Sequence, residues 1–184
     1  MSEVDPLVIL NQCTNAVEVS SRIVYKDRDR SRNYHDWGDT DDKGYIDYYD
    51  EYQDRHVFVT GQDVGKSQSF HDDFEIQAIW NVISPCSNHD HSSNMSKKRK
   101  LWFLTNIRHV CLQMFNTEGN IAIFCNSGRS RSPMYLVAYL TLFCHLTFDN
   151  AFRLVEVTML NSRDQVLDRH CSLHDIVALI NNII

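Results

Sequence analysis

The chain has 184 residues, of which 43% are hydrophobic and 23% are charged, as is ordinary for a globular protein with one sizeable core. Its net charge of −6 argues against a nucleic-acid backbone as the binding partner, because such binding depends on clustered Lys and Arg. No run approaches the roughly 18 apolar residues of a membrane span, and the first residues lack the basic and apolar regions of a secretory signal, so we expect neither.

The first 54 residues differ in composition from the rest, and we expect them to form an extension before a single domain over residues 55–184. Between residues 36 and 54, eight acidic residues stand against one lysine, with four tyrosines among them. Such a stretch is typical of an exposed or mobile insertion. Residues 39–50 also resemble a calcium-binding EF-hand loop, but Lys43 occupies a position that needs an oxygen ligand, and Asp50 replaces the usual glutamate. We therefore interpret them as a plain acidic loop.

The pattern of apolar residues predicts four further elements in chain order. Residues 57–60 indicate a strand, and apolar side chains at helical spacing predict an amphipathic helix over residues 96–115. The short apolar run at residues 120–124, entered from Glu118 and Gly119, indicates a buried strand. Residues 132–145 are apolar almost all round and predict a buried helix, with Ser132 placed to cap it and Pro133 in its first turn.

The loop between the last two elements contains a cysteine followed by an arginine at the sixth position, Cys125 and Arg131. Backbone N–H groups at a helix N-terminus have no intrahelical partners, and the helix dipole favours an anion there. Gly128 permits the backbone angles of a wrapped loop, and Arg131 can grip two phosphate oxygens with its planar fork. We predict a phosphate-binding loop formed by Asn126, Ser127, Gly128, Arg129, Ser130 and Arg131.

A thiol at the base of such a loop has a defined chemistry. Helix N-termini and neighbouring cations favour the thiolate form, so we expect Cys125 to be largely ionised and nucleophilic. It would attack phosphorus and form a phosphocysteine, while the loop amides and Arg131 stabilise the transition state. Ser132 is placed to donate a hydrogen bond to the sulfur when it leaves in the hydrolytic half.

The sequence of residues 125–133, and of the apolar helix after them, resembles that of the cysteine-dependent protein phosphatases, specifically their small dual-specificity branch. Weaker similarity covers residues 57–64 and 76–82, which look like the first two core strands with a helix between them, and residues 146–155, which look like the helix after the central one. The resemblance implies an α/β fold of the protein tyrosine phosphatase type, with a central sheet flanked by helices. It also implies hydrolysis of phosphotyrosine and phosphoserine or phosphothreonine on protein substrates. We expect no cofactor and no metal.

The chain departs from this family in two places. Phe124 stands where the family has a histidine that helps organise the loop, and the interval between Asn81 and Ser96 is shorter than usual, so that a core strand is missing or replaced. That interval should hold the general acid, a role worth on the order of a hundred- to ten-thousand-fold. Asp90, 35 residues before Cys125, resembles the family's acid and is our candidate.

Two rival functions stay open. The fold could survive as a pseudophosphatase that binds phosphoproteins with little turnover, as Phe124 and the short acid loop suggest, or the enzyme could act on RNA ends or phosphoinositides. Six cysteines without a pairing pattern indicate a reducing compartment, so we expect a cytoplasmic or nuclear protein that is not secreted.

Overall fold

The computed structural model of the protein describes residues 22–27, 44–83, 97–126, 128 and 131–160, and these form a mixed five-stranded sheet flanked by helices. The strands are β1 (Ile23–Asp27), β2 (Gly44–Asp50), β3 (Arg55–Thr60), β4 (Ile76–Asn81) and β5 (Asn120–Phe124). Their order across the sheet is β1-β2-β3-β5-β4. The first three pair antiparallel, whereas β5 lies parallel to both β3 and β4.

Helices cover both faces of the sheet. They are α1 (Gln62–Gly65), α2 (Gln68–Asp73), α3 (Lys97–Phe115), α4 (Arg131–Phe143) and α5 (Phe148–Leu160). The three long helices pack on one face, where the main core includes Tyr48, Val57 and Ile121. The two short helices cover part of the other face over a smaller cluster that includes Phe58 and Phe70. None of the helices in the described ranges is long and apolar enough to cross a membrane.

The α/β class and the predicted elements are confirmed. Helix α3 begins one residue after the predicted start, and β5 has the predicted bounds. The segment that resembled a helix between two strands contains two short helices, α1 and α2. Helix α4 begins at Arg131 and ends at Phe143, before the predicted end at His145. His145 adopts a left-handed conformation with φ 57°, as residues that follow the end of a helix often do. Glycine or asparagine usually occupies such a position, so nothing in the sequence signalled this helix end.

The acidic, tyrosine-rich segment contains a strand of the sheet. Within it, β2 pairs with both β1 and β3, and most of its residues are buried. The exposed insertion and plain acidic loop that we expected are therefore wrong for residues 44–50. The physical reason is the alternation of side chains along a strand, which places Ile46 and Tyr48 in the main core while Tyr45 joins the smaller cluster. The sheet thus spans the boundary that we placed between residues 54 and 55.

Asp47 and Asp50 lie in β2 and are also potential ligands in the EF-hand pattern, but other side chains of the protein already bond both carboxylates. Asp47 accepts hydrogen bonds from Lys26 Nζ at 2.6 Å and from His56 Nδ1 at 2.7 Å. Asp50 accepts from the hydroxyl of Tyr139 at 2.5 Å on the opposite face of the strand. Because residues three apart in a strand point to opposite faces, these two carboxylates cannot bind the same ion.

Candidate active site

The candidate nucleophile lies at the edge of the sheet where the parallel strands end. Thr60, the last residue of β3, is the register partner of Phe124, the last residue of β5. Cys125 follows directly, and its N–H donates to the Thr60 carbonyl at 3.4 Å. Its side chain is only 1% exposed. The strand therefore delivers a buried thiol to the carboxyl edge of the sheet, close to the beginning of α4.

Two donors point at the Cys125 sulfur. The N–H of Gly128 donates to Sγ at 3.3 Å, and the hydroxyl of Ser132 donates to Sγ at 3.2 Å. The same hydroxyl lies 3.1 Å from the Thr60 carbonyl oxygen, so its single proton serves two acceptors. Both donors are within hydrogen-bonding distance of the sulfur, so the loop and the start of α4 converge on this atom.

We predicted that Ser132 caps α4, and this prediction is wrong. The helix begins one residue earlier, at Arg131, so Ser132 lies inside the first turn, fully buried. There its hydroxyl turns to Cys125 and Thr60, and Pro133 follows in the same turn, where its missing N–H costs nothing. Arg131 itself is half-buried. The helix start therefore supplies a hydrogen-bond donor to the sulfur.

The loop is packed against the residues that follow β3. Gly128 has φ 71°, and a Cβ added there would lie 2.7 Å from the backbone nitrogen of Gly61. The N–H of Gln62 donates to the carbonyl of Asn126 at 3.0 Å. Glycine is required at position 128 both by its left-handed conformation and by this close backbone approach. The start of α1 thus forms one wall of the loop.

Phe124 occupies the position immediately before the nucleophile. Its side chain is 4% exposed, and its carbonyl accepts a hydrogen bond from Val82 N–H at 2.9 Å. A Cβ added to Gly65 of α1 would lie only 2.6 Å from Phe124 Cβ and Cγ. The ring is therefore in direct contact with α1 and supplies no polar atom to the site.

Of the predicted site residues, the structure brings Cys125, Gly128 and Ser132 into contact, with Asn126 and Arg131 beside them in the chain. Asp90, Ser127, Arg129 and Ser130 lie outside the described residues, and their assigned roles stay predictions. Sequence reasoning missed three contributors, Thr60, Gly61 and Gln62. Only the glycine after a predicted strand gave any signal, because contacts made by backbone atoms leave little trace in side-chain identity.

Another carboxylate lies on the helix that contacts the loop. Asp63 is the second residue of α1, and its Oδ2 atom is buried without a hydrogen-bond partner in the part of the chain that the structure describes. A buried polar atom without a partner is uncommon in folded proteins. Asp63 is therefore a useful comparison for Asp90 in any test of the general acid.

Comparison with known proteins gives no independent assignment. No protein-family model matches the chain, and no curated protein is significantly similar to it. Within the described ranges, no group of three or more His, Cys, Asp or Glu side chains is arranged to hold a metal ion.

Proposed function

We propose that the protein is a cysteine-dependent phosphatase that works through a phosphocysteine intermediate. The observation that carries this proposal is the pair of donors, Gly128 N–H and Ser132 Oγ, directed at the sulfur of Cys125 between a strand end and a helix start. A structural cysteine in an apolar core has no need of two donors. Cys111, for comparison, is fully buried, and burial raises the pKa of its thiol.

In the first half-reaction, the Cys125 thiolate attacks phosphorus in line with the leaving oxygen. The S–P bond forms as the P–O bond breaks, and a general acid gives its proton to the departing phenolate or alkoxide. Loop amides and the Arg131 guanidinium stabilise the charge on the three equatorial oxygens. We assign the proton donor to Asp90 on the resemblance alone.

In the second half-reaction, water attacks the phosphocysteine as the S–P bond breaks. The carboxylate left by the general acid takes a proton from this water, which restores the acid. The electron pair returns to sulfur, which again becomes a thiolate. Ser132 is well placed for this step, because its hydroxyl can turn from the Thr60 carbonyl to the sulfur without leaving either one's reach. The products are inorganic phosphate and the free enzyme.

The substrate class follows from the family resemblance. It supports phosphotyrosine and phosphoserine or phosphothreonine on proteins as substrates, and phosphorylated proteins as the partners. The rival proposal is a pseudophosphatase, and the specific observation in its favour is the apolar ring of Phe124 where the family has a histidine.

The test is hydrolysis of para-nitrophenyl phosphate by the purified protein under reducing conditions. We expect Cys125→Ser to abolish turnover and to retain phosphate binding, whereas Cys111→Ser, the matched change at another buried cysteine, should keep activity. Loss of activity in both variants equally, or in neither, would contradict the thiol mechanism.

The general acid is identified by the pH dependence of kcat/KM. An acid that must be protonated produces the falling limb at high pH, so its replacement by an amide should flatten that limb. We expect this result for Asp90→Asn and not for Asp63→Asn. The opposite result would move the acid to α1. No turnover in the unmodified protein, with phosphopeptide binding retained, would favour the pseudophosphatase.

A further inference from the structure

A contact between Phe124 and Gly65 connects the residue before the nucleophile to helix α1. An ideal Cβ on Gly65 would lie 2.6 Å from both Cβ and Cγ of Phe124, and 2.8 Å from Cδ1. Both residues are buried. Distances below about 3 Å are well inside van der Waals contact, since carbon atoms are optimally separated by roughly 3.5–4.0 Å. Any side chain at position 65 must therefore displace either the ring or the helix.

The ring is attached to the more rigid of the two partners. Phe124 belongs to β5, the central parallel strand, whose neighbours on both sides hold it in register. Its carbonyl also accepts the Val82 N–H at 2.9 Å. Helix α1 is a single turn without a hydrogen-bonded strand neighbour. A collision between Phe124 and residue 65 will consequently be relieved by movement of α1.

The other end of α1 holds the phosphate loop. The helix turn is closed by Gly65 N–H donating to the Gly61 carbonyl at 2.9 Å, so the two ends move together. Gln62 N–H donates to the Asn126 carbonyl at 3.0 Å. The backbone of Gly61 packs closely against Gly128, since a Cβ added to Gly128 would lie only 2.7 Å from the Gly61 nitrogen. A displacement of α1 therefore reaches the loop at two points, and one of them is the residue whose N–H binds the Cys125 sulfur.

We infer that Phe124 and Gly65 are positioning residues for the phosphate loop: the ring sets the location of α1, and α1 sets the locations of Asn126 and Gly128. This inference rests on the proposed function. It gives Phe124 a role that depends on shape and packing, in the position where the resembled family uses a histidine. The loop is then organised from the side of α1 and needs no polar group at residue 124.

The test compares Gly65→Ala with Gly119→Ala. Gly119 lies just before the opposite end of β5, has φ 79°, and an added Cβ would lie 2.5 Å from Gln77 Cγ, so its replacement is also sterically unfavourable but remote from the loop. For Gly65→Ala we expect kcat/KM for para-nitrophenyl phosphate to fall about ten- to a hundredfold, because small displacements of catalytic groups have effects of that size. Inhibition by inorganic phosphate should weaken with it. Gly119→Ala should lower the free energy of unfolding in urea and leave both kinetic quantities within about twofold of the unmodified protein.

A folded Gly65→Ala protein with unchanged kcat/KM and unchanged phosphate inhibition overturns the inference. So does a loss of activity in both glycine variants that follows only their unfolded fraction. If Gly65→Ala does not fold, Phe124→Leu provides the test. Removing the flat ring should loosen α1 and weaken inhibition by inorganic phosphate in a protein of near-normal stability. Unchanged inhibition in this variant overturns the inference.

The proposed function fails in a different way. If the unmodified protein neither hydrolyses the aryl phosphate nor binds inorganic phosphate in equilibrium dialysis, the phosphatase proposal and this inference fall together. If it binds phosphate without turnover, the dissociation constant of phosphate replaces kcat/KM, and the comparison of Gly65→Ala with Gly119→Ala has the same two outcomes.

Discussion

Replacement of Arg55 by methionine should remove a large part of the stability of the fold. The guanidinium is 1% exposed and donates to the carbonyls of Met114 and Thr117 and to the hydroxyl of Tyr139. Its Nε also lies 3.8 Å from Asp50 Oδ2. It therefore ties the hairpin of β2 and β3 to the end of α3 and to α4.

The magnitude follows from what remains after Arg55 is removed. The Asp50 carboxylate, 2% exposed, keeps the Tyr139 hydroxyl but loses its opposite charge, and the Thr117 carbonyl loses its guanidinium donor. Removing one partner of a buried ion pair typically costs about 3–5 kcal/mol. Since domains are stable by only roughly 5–15 kcal/mol, we expect Arg55→Met to lower the free energy of unfolding by about a fifth or more, measured by urea unfolding followed by circular dichroism.

A matched arginine provides the control. Arg22 forms a salt bridge with Glu51, whose side chain is 57% exposed, and exposed pairs contribute about 1 kcal/mol or less. Arg22→Met should therefore change the free energy of unfolding little. Adding Asp50→Asn to Arg55→Met should recover part of the loss, because the uncompensated charge is then absent. Two results would contradict this prediction: similar stabilities of the two single arginine variants, or a further loss of stability when Asp50→Asn is added to Arg55→Met.

Three further predictions concern the thiols and the loop. Burial raises the pKa of the Cys144 thiol from 9.0 to about 12. The folded protein thus holds this proton more tightly than the unfolded chain, so stability is complete below pH 9 and falls as the pH rises from 9 towards 12. In urea unfolding, Cys144→Ala should reduce this dependence by up to about 1.4 kcal/mol per pH unit, and an unchanged slope would contradict it. Ser132→Ala should slow the hydrolysis of the phosphocysteine about tenfold or more, since hydrogen bonds to charged groups contribute about 1.5–3 kcal/mol. A rapid burst of nitrophenol before a slow steady state would reveal this in stopped-flow measurements, and steady-state turnover equal to that of the unmodified protein would argue against it. Gly128→Ala should abolish inhibition by inorganic phosphate, because a Cβ would lie 2.7 Å from the Gly61 nitrogen at a φ of 71°; retained inhibition would show that the loop tolerates the change.

The elements that carry the site were predictable because their patterns are local. The apolar run of β5 and the all-round apolar α4 bracket the Cys125 loop, and both follow directly from the order of residues. Strand β2 was missed for the opposite reason. Its acidic residues look solvated in the sequence. Asp50 is compensated by Arg55, 5 residues away, and by the hydroxyl of Tyr139, 89 residues away. Such partners become neighbours only when the sheet and helices assemble, so composition alone mispredicts the strand.

Helix α4 is fixed at two points along its length, and this separates stability from loop geometry. Near its start, Ser132 donates to the Thr60 carbonyl, and two turns later Tyr139 bonds Asp50 and Arg55. The second of these contacts lies well away from the Cys125 loop. Arg55→Met should consequently lower the free energy of unfolding while folded molecules keep their kcat/KM. Gly65→Ala should lower kcat/KM even in the molecules that remain folded, because α1 contacts the loop directly. If both variants changed stability and kcat/KM together, the loop would be coupled to the whole fold, and α1 would have no separate role in positioning it.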